Sequence, residues 1–109
     1  MPPRPRAERR AGSREIAQIS SVSADSAVDF EDSGSPAVLV HLQNGNFVAY
    51  SAVCTHQGCT AAYQDGQLAC PCRGSIFDPS RGGAVVYGPA PSPLPRIPVK
   101  VQSGKIYRT

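Results

Sequence analysis

All four cysteines and one of the two histidines fall in two short runs, Cys54-Thr55-His56-Gln57-Gly58-Cys59 and Cys70-Pro71-Cys72-Arg73-Gly74-Ser75. Thiolates and imidazoles are the side chains that bind soft and borderline metals, and paired thiols also oxidise to disulfides. Three chemistries are therefore open: an iron–sulfur centre, a mononuclear zinc on Cys54, His56, Cys70 and Cys72, or two plain disulfides in a small secreted domain. In a Cys-x-His loop, residues two apart reach one centre only where the backbone turns sharply, which Gly58 helps to permit. The sequence holds no Ser/His/Asp set, phosphate-cradling loop or paired carboxylates that would suggest hydrolysis. His41 lies in an apolar run far from both motifs and reads as a satisfied sheet histidine. Asp65 and Asp78 read as turn residues, and Tyr50, Tyr63, Tyr87 and Tyr107 as core or rim packing.

Short strands must position these residues. Ile16, Gln18 and Ser20 alternate weakly against Ala17 and Ile19, and Ala27-Val28-Asp29-Phe30 reads as a second strand. Ala37–Leu42 and Asn46–Tyr50 flank Asn44-Gly45, a pair that allows the positive φ angles of a tight hairpin turn. Asp65-Gly66 joins Ala61–Gln64 to Gln67–Cys70 in the same way, and Ser103-Gly104 joins Ile97–Gln102 to Lys105–Thr109. In the Ile97–Gln102 strand, Ile97, Val99 and Val101 are expected to share one face. Eleven Pro and ten Gly argue against long helices. The fold class is all-β, a small antiparallel sandwich or barrel. Both cysteine runs fall in loops beside the Asp65-Gly66 hairpin, where a rigid hairpin brings separated ligands together.

A chain of 109 residues supports one domain with a modest core, which gains from a metal or disulfide staple. The net charge of +3 comes from a tail, since Arg4, Arg6, Arg9, Arg10 and Arg14 precede Glu15. From Glu15 onward six Lys/Arg face seven Asp/Glu, a balance of −1. That excludes the basic, aromatic-studded surface of a nucleic-acid binder. Residues 1–14 read as a disordered Pro/Arg-rich tail and 15–109 as the folded domain. No stretch is apolar and long enough to span a bilayer, and no apolar segment follows Arg9-Arg10 to make it an export signal. Either a longer precursor or a cytoplasmic life is expected on that basis.

Cys-Thr-His-x-Gly-Cys followed by Cys-Pro-Cys-x-Gly-Ser-x-Phe-Asp resembles the Rieske [2Fe–2S] proteins of cytochrome bc-type complexes and their stand-alone relatives, over roughly residues 15–109. The resemblance implies a small Rieske-type sandwich with a two-loop cluster-binding part at about residues 53–92. It implies Cys54 and Cys70 on one iron, His56 on the other, and a Cys59–Cys72 disulfide tying the loops. Ser75 matches the position whose hydroxyl donates to a bridging sulfide. Gly88-Pro89-Ala90-Pro91 resembles the loop that covers the cluster, and Phe77 stands where high-potential members carry Tyr. The function implied is one-electron transfer, as a carrier or as the redox subunit of a quinol-oxidising or related complex, rather than catalysis by this chain alone. The implied partners are a redox protein such as a cytochrome or a quinol complex. Membrane association would come through that complex or a missing anchor, at the extracytoplasmic face.

Arg73 departs from the pattern, standing where the family has its second histidine. A guanidinium keeps its proton below a pH of about 12 and has five donors and no lone pair, so it is a poor ligand. Three outcomes are open. Arg73 is the fourth ligand after losing a proton, or water or another group completes the iron, or no cluster assembles. In the last case a Rieske-like binding or structural module remains, held by Cys59–Cys72. In quinol-oxidising relatives the second histidine takes a proton as the electron enters the cluster, a task Arg73 cannot perform.

Overall fold

The computed structural model describes residues 14–54, 59–72 and 74–109. The expected tail lies outside the described residues except for Arg14, which opens the first strand. The strands run in order β1 (Arg14–Gln18), β2 (Ser26–Asp32), β3 (Ser35–His41), β4 (Phe47–Ser51), β5 (Ala62–Gln64), β6 (Gln67–Ala69), β7 (Ile76–Asp78), β8 (Ala84–Tyr87), β9 (Arg96–Ile97), β10 (Val99–Gln102) and β11 (Lys105–Arg108). Single 3₁₀ turns occupy Ile19–Ser21 and Pro79–Arg81. The all-β class expected from sequence is the class found.

The described residues form three antiparallel sheets, with strand orders β1-β11-β10, β2-β3-β4-β9 and β5-β6-β7-β8. The second sheet is the middle layer. Val38 and Val40 pair with Tyr50 and Val48 and pack toward Leu68 and Phe77 of the third sheet. Leu39, paired with Ala49, packs the opposite way with Ala37, Ile97 and Ile106. This two-sided burial explains why Ala37-Val38-Leu39-Val40 is an unbroken apolar run rather than an alternating one.

The turn chemistry explains most of the hairpins. Asp65-Gly66 (φ 48° and 85°) and Ser103-Gly104 (54° and 77°) are both left-handed at both residues, as a type I′ hairpin turn requires. Ser33-Gly34 (53° and 85°) makes a third such turn, between β2 and β3. Asn44-Gly45 differs from expectation, because only Gly45 takes a positive φ, of 95°. The loop there is wider, closed by Leu42 N–H to Asn46 C=O at 2.8 Å and Gly45 N–H to Leu42 C=O at 3.0 Å. The Asn44 side chain accepts from the Asn46 amide at 3.0 Å. The expected Ile97–Gln102 strand is also two strands. Pro98 lacks the N–H that a continuous ladder needs, so Ile97 joins β4 while Val99–Gln102 joins β11. Ile97 is buried but Val101 is exposed, which breaks the expected shared face.

Candidate functional site

Two backbone loops at one end of the third sheet carry the cysteines. Downstream of β4, residues 52–54 run antiparallel to 59–61: Ala61 N–H donates to Ala52 C=O at 2.7 Å and Cys54 N–H to Cys59 C=O at 2.6 Å. Between β6 and β7, Cys70 N–H donates to Ser75 C=O at 2.8 Å, and Gly74 N–H returns to Cys70 C=O at 3.1 Å. Gly74 makes that return possible with a φ of 76°. The Cys59–Cys72 disulfide joins the two loops across a Cα–Cα distance of 6.2 Å, within the ordinary span. Cys54 (3% exposed) and Cys70 (2%) stay outside the disulfide and are buried in one core with Leu68, Phe77, Ala90 and Leu94.

A third segment closes over them. Ala90 and Leu94 belong to the same core as the two thiols. Leu94 N–H donates to Gly83 C=O at 3.1 Å, and Ser51 N–H to Pro95 C=O at 2.9 Å, so the segment is fixed at its far end to the turn before β8 and to the end of β4. At its near end Ala90 N–H donates to Ser75 Oγ at 3.1 Å. Among the described residues Ser75 is the buried polar residue of the core, 0% exposed, and its own O–H meets no acceptor among them.

Tyr50 holds the middle sheet to this end. Its ring is fully buried and its hydroxyl donates to Pro79 C=O at 2.7 Å. Burial pushes the Tyr50 phenol above its ordinary value, with nearby Arg96 opposing and Asp78 adding to the rise. Asp78 is a turn residue as expected: its carboxylate accepts from Ser80 N–H at 3.0 Å and Ser80 Oγ at 2.7 Å. His41 is a sheet histidine, with Nδ1 2.8 Å from Val22 C=O and the ring stacked on Phe47 at 4.1 Å. Tyr87 departs from the packing expectation and is 68% exposed.

Of the expected site residues, Cys54, Cys70, Ser75, Cys59 and Cys72 are thus gathered at one end of the fold. His56 and Arg73 lie outside the described residues. Tyr50 is core packing as expected, but sequence reasoning missed its hydrogen bond to Pro79 and the close approach of Gly88 to Ser75, where a Cβ at Gly88 would lie 2.5 Å from Ser75 Cα. Neither leaves a local signature, since each depends on a partner distant in the chain.

The family model for the Rieske [2Fe–2S] domain matches residues 13–98. The chain belongs to the Rieske [2Fe–2S] domain family. This Rieske chain is 46% identical over 74 residues to a protein of Haloferax mediterranei named as a respiratory nitrate reductase Rieske subunit, covering 67% of this chain and 34% of that protein. It is 38% identical over 71 residues to the cytochrome b6-f complex iron-sulfur subunit of Chlorobaculum tepidum, covering 63% and 38% respectively. The chain therefore spans little more than a third of these curated relatives. Among solved structures, the soluble domain of Rieske protein II from Sulfolobus acidocaldarius aligns with a TM-score of 0.74 at 28% identity, covering 88% of this chain and 76% of that one.

The family binds a [2Fe–2S] cluster and serves Rieske-type electron transfer. The described residues fit such a group in two ways. Two buried thiols on disulfide-linked loops supply the soft donors that iron–sulfur chemistry uses. A fully buried hydroxyl beside Cys70, with its proton unspent among the described residues, supplies a donor for an anionic sulfur.

Proposed function

We propose that this Rieske domain transfers single electrons through a [2Fe–2S] cluster held by Cys54, His56 and Cys70, with Arg73 as the candidate fourth ligand. The cluster-binding part is the region of about residues 53–92, within a folded domain of 15–109. The observation that carries the reading is the pair of buried thiols on loops tied by Cys59–Cys72, with the Ser75 hydroxyl beside them.

A bound cluster supplies one-electron chemistry, with the electron taken from a reduced donor and passed to an oxidised acceptor. The chain's own residues do the rest. Cys54 and Cys70 would hold iron in a desolvated core, the Ser75 hydroxyl would donate a hydrogen bond to the cluster, and the disulfide fixes the spacing of the loops. Phe77, fully buried, brings no hydroxyl to the site, which would lower the potential relative to members with Tyr there.

Arg73 bears on the partner. A quinol loses protons as it loses electrons, and a guanidinium has no lone pair with which to accept one. The donor that suits this chain is therefore a one-electron redox protein, or a quinol whose protons leave to a group on the partner. The acceptor class is a haem protein such as a cytochrome, with the chain as carrier or as redox subunit of a complex. The disulfide favours an oxidising compartment, and the extracytoplasmic face of a membrane is the placement proposed. Among the described residues no helix is long and apolar enough to cross a membrane.

A second reading rests on Arg73 itself: a cluster-free binding or structural module that keeps the fold and the disulfide. Spectroelectrochemistry of the anaerobically purified chain separates the two. Reversible bleaching of a visible absorption band by one electron supports the electron-transfer reading. A colourless, folded protein with no redox response replaces it with the module.

A further inference from the structure

We propose that Gly88 is a positioning residue for the redox centre: lacking a Cβ, it lets the Gly88–Pro91 lid close on Ser75, so that Ala90 N–H occupies the acceptor side of the Ser75 hydroxyl and leaves its proton for cluster sulfur. The inference rests on the cluster-binding reading above.

The geometry is specific to this glycine. A Cβ at Gly88 would lie 2.5 Å from Ser75 Cα and 2.9 Å from both Ser75 N and Oγ. Two of those atoms are backbone, so a side chain at 88 displaces the lid rather than a flexible neighbour. Gly34, Gly45, Gly66, Gly74, Gly82 and Gly104 also have positive φ, yet a Cβ there would meet nothing within 4 Å. Gly88 thus serves a close approach as well as a turn.

A serine hydroxyl has one proton to give and two lone pairs to offer. Here a lone pair is met by Ala90 N–H at 3.1 Å, and the residue is 0% exposed. Accepting that bond fixes the hydroxyl and polarises its O–H, which strengthens the bond it donates. Reduction adds negative charge to the cluster. A donated hydrogen bond therefore stabilises the reduced state more than the oxidised one and raises the potential. Gly88 acts on the cluster only through Ser75, and that makes the proposal separable from a general role in shielding.

The test is a potential measured by protein-film voltammetry on the full, iron-loaded chain, in a cycle of S75A, G88A and the double variant. S75A is expected to lower the equilibrium constant for reduction roughly tenfold, which is about 59 mV for one electron. G88A is expected to give most of that shift with Ser75 present and little in the S75A background. Equal G88A shifts in both backgrounds, or none in either, overturn the proposal and leave the cluster reading standing. Where G88A yields no loaded protein, A90P replaces it, because proline removes the donor N–H. If neither lid variant loads iron while S75A does, the lid serves assembly and the inference falls. A parent chain without iron overturns the cluster reading, and this inference with it.

Discussion

Tyr50 gives a direct test of how the two ends of the domain are joined. Replacing it by Phe keeps the fully buried ring, which packs where a Cβ at Gly83 would meet it at 3.0 Å. What is lost is the hydroxyl that donates to Pro79 C=O at 2.7 Å. A net hydrogen bond contributes roughly 0.5–1.5 kcal/mol, and a buried group left unmatched costs about 1–3 kcal/mol. Y50F is therefore expected to lose about 1–2 kcal/mol at pH 7. In a domain of this size each kcal/mol moves Tm by roughly 4–8 °C. Urea unfolding at a series of pH values reads the effect, with an unchanged m-value showing that the unfolded reference is the same. The pH series adds a second expectation. The folded phenol titrates above its ordinary 10.0, so its contribution is complete below pH 10 and is lost as pH rises through the raised value. Phe has nothing to lose there, so the gap between parent and Y50F narrows above pH 10. Equal stability at pH 7, or a gap that stays constant far into the alkaline range, would refute the tie between Tyr50 and Pro79.

Removing the disulfide as C59S/C72S opens a link between residues 13 apart in sequence, and a loss of about 3 kcal/mol is expected by chemical denaturation; iron content should fall with it. G66A tests pure backbone strain, because the site has a φ of 85° and open space for a Cβ. A cost of about 1 kcal/mol in thermal unfolding is expected, with no change in the visible spectrum. R73H supplies an imidazole where the chain has a guanidinium, and the cluster should resist loss to a chelator longer than in the parent, read as slower decay of the visible band. Equal or faster decay in R73H would show that residue 73 does not limit cluster retention.

Local rules made much of this fold legible. The Asp65-Gly66 and Ser103-Gly104 pairs specify left-handed turn residues wherever they stand, so their hairpins could be read directly. Ser33-Gly34 carries the same signal and was available to the same reasoning. Asn44-Gly45 misled because its turn type is set by a wider loop, closed between Leu42 and Asn46, and dipeptide chemistry alone does not report loop length. Pro98 splits one apolar run between two sheets, and periodicity cannot say which sheet receives each half. The cysteine motifs made the family legible because residue type and spacing are local. The Gly88–Ser75 approach and the Tyr50–Pro79 bond join residues 13 and 29 positions apart, and only the folded chain brings them together.

The central claim is that the two loops hold a [2Fe–2S] cluster despite Arg73. Iron and acid-labile sulfide per chain, measured on the anaerobically purified chain, test it most directly. The account predicts two of each, with one disulfide and two thiols recovered after unfolding and cluster removal. Folded protein with neither iron nor sulfide would contradict it and leave a disulfide-held module.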